Sequence, residues 1–99
     1  MEVYKGDIVE SANGRDKGKA LYVAAVDAAF LVLVDGKSRK VEQPKRKKAK
    51  HCTFLAREES RVAEKLRAGE RVTNSDIRKA LAAFRNQTQA DQAEIEEVE

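Results

Sequence analysis

The sequence predicts a mainly β protein with appended helices: five short antiparallel strands bent into a small barrel over about 1–55, then two short α-helices and an acidic tail. Two observations lead there. Apolar and polar residues alternate through the first half of the chain, whereas in the second half apolar residues recur every three to four positions. Leu, Ile, Val and Phe number 22 in the 99 residues, and 14 of them lie within 1–55. The core therefore belongs mostly to the first half.

The strands are expected at 4–9, 20–26, 29–34, 38–42 and 51–55, each bounded by turn-forming residues. A polar stretch with two glycines, Ser11 to Lys19, separates the first two. Asp27 leaves little loop between the second and third, which should be antiparallel neighbours. Asp35-Gly36 predicts a tight hairpin turn into the fourth, since glycine accepts positive φ at no steric cost. Pro44, lacking an amide donor, should stop that fourth strand. Five strands too short to bury two separate sheet faces suggest a strongly bent barrel.

The helical half, 56–86, begins with 58–68, where Val62 and Leu66 share a face and Gly69 sits where a C-cap belongs. Thr73 can cap a second helix, with Asp76 as a partial capping box and Val72 and Ile77 as a hydrophobic staple. Ile77, Ala80, Leu81 and Phe84 form one apolar stripe. It is too narrow to fold alone, so Val62, Leu66, Ile77, Leu81 and Phe84 should pack on each other or on the strands. From Gln87 on, Gln, Ala, Asp and Glu dominate, and 87–99 is expected to be a frayed or disordered tail.

The formal net charge of +3 conceals an asymmetry. Residues 1–52 carry 12 basic and 7 acidic side chains, and residues 53–99 carry 8 and 10. The longest stretch without a polar residue, 28–34, is far shorter than the roughly 20 residues a membrane helix needs. No secretory signal pattern opens the chain. One cysteine, Cys52, rules out an internal disulfide and suits a reducing cytoplasm.

The densest feature is 37–50, with Lys37, Arg39, Lys40, Lys45, Arg46, Lys47, Lys48 and Lys50 against the single acid Glu42. Such a run repels itself unless a polyanion neutralises it, and phosphate backbones are the commonest polyanions in cytoplasm. The plain alternative is a solvated loop that keeps the protein soluble. A second cluster, Gly14-Arg15-Asp16-Lys17-Gly18-Lys19, places three cations and two glycines in a hairpin loop. Its glycines would let backbone amides approach an oxygen-rich ligand. It lacks the spacing and the Ser or Thr of a nucleotide-binding P-loop.

These residues resemble a known family. Gly6-Asp7-Ile8-Val9, the Gly14 to Lys19 loop, Val23 and Val26 are similar to the KOW motif of ribosomal proteins and NusG-type transcription factors. Gly18-Lys19-Ala20-Leu21 and Leu33-Val34-Asp35-Gly36 resemble archaeal and eukaryotic large-subunit ribosomal proteins of the fourteen-e type. The whole chain, with Thr73 to Leu81, looks like their small bacterial KOW-domain relatives. Leu21 stands where many KOW sequences have glycine. The resemblance implies an SH3-like barrel that binds RNA, most plausibly ribosomal. Arg15, Lys17 and Lys19 would contact phosphates, Gly14 and Gly18 would shape the turn, and Arg39, Lys45, Arg46, Lys47, Lys48 and Lys50 would extend the surface.

Other features carry less. His51 and Cys52 lack companions for a metal site, and Cys52 reads as a buried thiol. Of the five aromatics, most read as core, while Tyr22 is either core or rim packing or a surface ring able to stack on a base. No nucleophile is joined to a base, so neither an enzyme, a cofactor nor a small-molecule substrate is expected. The expected protein is a cytoplasmic, non-enzymatic RNA binder with ribosomal proteins as further partners and no membrane. A protein-interaction module of SH3-like type in the translation or transcription machinery is the alternative, and duplex DNA binding is a third reading.

Overall fold

The first half of the chain forms five strands in the computed structural model, which describes the backbone of residues 2–98 and the side chains of residues 2–87. They are β1 (Ile8–Ser11), β2 (Ala20–Asp27), β3 (Phe30–Val34), β4 (Lys45–Lys48) and β5 (Cys52–Ala56). All pair antiparallel in one sheet of order β4-β3-β2-β1-β5. The β2–β3 hairpin is as tight as expected: Asp27 pairs with Phe30, and Ala28 takes φ 54° in the two-residue turn. Register shifts at Ile8/Val9 and Val23/Ala25 bend β1 and β2, as bulges do. A 3-10 turn, Ala49–His51, links β4 to β5.

The fourth strand is not where alternation placed it. It lies at Lys45–Lys48, so Pro44 precedes a strand instead of ending one. The segment expected as strand, 38–42, belongs to a loop whose backbone is used elsewhere. The Asp35 carboxylate accepts from the amides of Lys37 (2.8 Å) and Arg39 (2.7 Å) and from the Ser38 hydroxyl. The Arg39 carbonyl accepts from the amides of Asp35 and Gly36, and Val41 N–H donates to Asn74 Oδ1 at 2.9 Å. Asp35-Gly36 thus opens a wide loop closed on itself and not a two-residue hairpin.

Helix α1 (Arg61–Ala68) starts later than the periodicity suggested, because the Ser60 hydroxyl accepts from the Ala63 amide and caps it there. Gly69 ends it in the left-handed conformation, φ 73°. Helix α2 (Asn74–Val98) has the expected capping box: Thr73 Oγ1 accepts from the Asp76 amide, and the Asp76 carboxylate accepts from the Thr73 amide. Its backbone bounds run past Gln87, where a frayed tail was expected. Apart from Gln87, the side chains of that tail lie outside the described residues.

Two apolar clusters divide the core. In the first, Ile8, Tyr22 and Val34 from the sheet meet Val62, Ala63, Leu66, Val72, Ile77 and Leu81, with Phe84 half-buried against them. The helices therefore pack on the sheet. The second cluster holds Val9, Leu21, Val23, Leu31 and Leu33, flanked by Val3, Ala49 and Cys52. Of the aromatics only Tyr22 is fully buried, which excludes it as a base-stacking surface. Its hydroxyl lies 3.4 Å from Glu58 Oε1, and burial raises its pKa. Phe30, Phe54 and Phe84 are half-buried and Tyr4 is exposed, contrary to the expectation that most were core. No helix among the described residues is long and apolar enough to cross a membrane.

Candidate nucleic-acid interface

The loop between β1 and β2 is shaped by its glycines as expected: Gly14 and Gly18 take φ 76° and 84°. Its amides are less available than the motif suggested. Lys17 N–H donates to Gly14 O, Gly18 N–H to Ser11 O and Lys19 N–H to Asp16 O. What the loop offers a ligand is mainly the side chains of Arg15, Lys17 and Lys19, all exposed.

Asp16, read from sequence only as part of a basic loop, is buried. Its Oδ2 accepts two hydrogen bonds from the Arg39 guanidinium, at 3.1 and 2.9 Å, and Lys19 Nζ lies 3.9 Å from Oδ1. Arg39 is thereby a strut between two loops as much as a surface cation. A second strut comes from β4, where Lys47 Nζ donates to Asn13 O at 2.8 Å. The two basic segments expected to act together, the Gly14 to Lys19 loop and 37–50, are thus tied at Arg39 and Lys47.

The run on β4 does not form a single patch. Lys45 and Lys47 stand opposite Leu33 and Leu31, whereas Arg46 and Lys48 stand opposite Val32 and Phe30, on the other face. Arg46 pairs with Asp27 at 2.9 Å and lies 4.1 Å over the Phe30 ring. β4 is also an edge strand, where lysines repel another sheet edge. Among the described residues, Arg15, Lys17, Lys45, Lys47, Lys48 and Lys50 stand in no ion pair, whereas Lys19, Arg39 and Arg46 do.

Two cavities flank these basic segments. One, of about 920 Å³, opens at the end of the second apolar cluster and is lined by Tyr4, Val26, Leu31, Phe54, Lys5 and Lys50 among others. Cys52, expected to be a buried thiol, borders it half-buried, with Sγ donating to Lys48 O at 3.7 Å. Burial pushes that thiol's pKa up, against a smaller opposing pull from Lys47. The other cavity, of about 1330 Å³, lies between the 35–40 segment and α2, with Leu55, Leu81 and Phe84 among its apolar lining and Lys19, Lys37 and Arg85 among its cations.

Sequence reasoning missed a second buried carboxylate. Asp7 is fully buried, accepts from the Tyr4 amide at 2.8 Å, and is held by Arg57 at 3.0 Å through both Nε and Nη2. The hydrogen bond from Arg57 to Asp7 raises the guanidinium's pKa. The same guanidinium lies 4.7 Å over the Tyr4 ring and 5.4 Å over Phe54. A lone acid directly before Ile8-Val9 was the available signal. Its partner, 50 residues on, left no local trace. Comparison with protein-family models and with curated proteins finds no match to this chain.

Proposed function

We propose that this chain is a non-enzymatic RNA-binding protein of the KOW type. On this reading its five strands close into an SH3-like barrel whose basic rim docks on phosphates of folded RNA, most plausibly ribosomal RNA in the cytoplasm. One observation carries the reading: the contacts of Lys47 with Asn13 and Arg39 with Asp16 tie the 37–50 segment to the basic loop. Lysine outnumbers arginine in 45–50, which favours point-charge contacts with phosphates over bidentate reading of bases. Recognition is then mainly of RNA shape, with Arg15, Lys17, Lys45, Lys47 and Lys50 as carriers and Lys48 reaching from the opposite face of β4.

Titration against salt tests it. If about six phosphates are neutralised, log affinity for a single strand falls with log salt at a slope near −4. Changing Lys45, Lys47 and Lys48 together to Glu should abolish binding, and changing Lys45 alone to Gln should make the slope shallower by about one phosphate's share. Undiminished binding would sink the proposal. An RNA duplex should outcompete a DNA duplex of equal length. A second reading, docking of an uncharged apolar peptide from a ribosomal protein or another partner, draws on the larger cavity beside α2 with its Leu55, Leu81 and Phe84. It predicts affinity that is nearly flat in salt and is lost on Leu55→Asp.

A further inference from the structure

We infer that the cavity at the open end of the sheet binds a nucleobase of an unpaired nucleotide, with Tyr4 as the stacking surface. This rests on the RNA reading above and adds a second kind of contact to it. The cavity is built, not merely left over. The buried Asp7 carboxylate fixes both the Tyr4 amide and the Arg57 guanidinium, and Arg57 lies against the rings of Tyr4 and Phe54. The Tyr4 hydroxyl donates to Glu2, which further limits the ring's freedom. Arg57 covers one face of Tyr4, yet the residue remains 50% exposed and lines the cavity, so ring surface is left for a ligand.

The rest of the lining suits a nucleotide. Val26, Leu31 and Phe54 are apolar, Lys5 and Lys50 supply cations, and the one acid among the described lining residues, Glu2, is engaged by the Tyr4 hydroxyl. A ligand that is flat and apolar at one end and anionic at the other meets both. Base-on-aromatic stacking of this kind tolerates any base, because every base has a π-face. The cavity also continues the basic rim. Its wall includes Ala49 and Lys50 of the 3-10 turn, and His51 O in that turn accepts from the Ala12 amide at the start of the basic loop. A strand whose phosphates follow the rim can turn one base inward here.

The test uses the full chain, with hexauridylate as the nucleotide probe and an inorganic polyphosphate of similar charge as the phosphate-only probe. Cys52 is the only cysteine and borders the cavity, so its alkylation rate reports occupancy. Hexauridylate should slow alkylation several-fold, and polyphosphate should leave it unchanged. Tyr4→Ala should weaken hexauridylate binding roughly tenfold, in line with the loss of one stacked base. It should change polyphosphate affinity less than twofold, and Tyr4→Phe should restore the loss. Thermal melts of both variants confirm that the fold survives. If hexauridylate binds without protecting Cys52, and Tyr4→Ala changes nothing, the cavity takes no base and the RNA reading stands. Protection by an apolar alanine–leucine peptide but not by hexauridylate overturns the inference in favour of a protein partner. If neither polyanion binds at low salt, the RNA reading falls and this inference with it.

Discussion

The two apolar clusters are built from the same strands but finished differently. Ile8, Tyr22 and Val34 are roofed by two helices, which bring Val62, Leu66, Ile77 and Leu81 onto them. Val9, Leu21, Val23, Leu31 and Leu33 are flanked, among the described residues, by the partly buried Val3, Ala49 and Cys52, and a cavity opens at that end. Alternation on a strand supplies two apolar sets, and α1 and α2 cover one of them. The covered set should carry stability, and the open end is where a ligand can be taken in.

Core truncation gives the largest expected contrast. Ile77→Ala should cost about 2–5 kcal/mol in urea unfolding, the range for a buried aliphatic side chain cut to Ala. Leu31→Ala should fall at the low end of that range, because half-buried Val3, Ala49 and Cys52 can close on the gap. Equal losses would mean the two clusters are mechanically one. A glycine pair sharpens the same contrast. A Cβ on Gly36 would lie 2.4 Å from Asn74 O at the start of α2, whereas on Gly18, in the basic loop, it would meet nothing within 4 Å. Gly18→Ala should cost about 1–2 kcal/mol for its positive φ alone. Gly36→Ala should exceed that, and both are read from melting curves.

Acid should loosen the covered side first. The Asn74 side-chain amide holds the Glu42 carboxyl below its usual range, and the Thr73 hydroxyl and amide do the same for Asp76. For Asp35 burial works the other way, but the amides of Arg39 and Lys37 and the Ser38 hydroxyl outweigh it and lower its pKa too. A carboxyl lowered in the folded state lends stability above its unfolded pKa of about 4, and that stability is lost as pH falls through the folded value. Protection of the 35–44 amides, taken relative to exchange in an unfolded chain at the same pH, should therefore fall below about pH 4, before protection in β1 and β2 does. Simultaneous loss of protection would argue against a separable loop–helix seam. The smallest effect belongs to the rim. Lys45→Glu or Lys48→Glu, both at exposed positions without ion pairs, should move stability by less than about 0.5 kcal/mol.

Local pattern determined much of this protein. The paired β2 and β3, the caps of α2, the Gly69 terminus and the stripe Ile77, Leu81, Phe84 were legible because each depends on residues within a few positions of one another. The Gly14 to Lys19 loop and the run at Lys45–Lys48 were equally visible as charge. Tertiary structure decided what those charges do. Arg39 turned toward Asp16, Lys47 reached Asn13, and β4 divided its cations between two faces. The fourth strand moved because Asp35 and Asn74, 39 positions apart in the chain, claimed the backbone of the segment that alternation favoured. Asp7 and Arg57 stayed hidden for the same reason. A buried charge is tolerated only where a partner arrives, and a partner that arrives from 50 residues away leaves no periodicity behind.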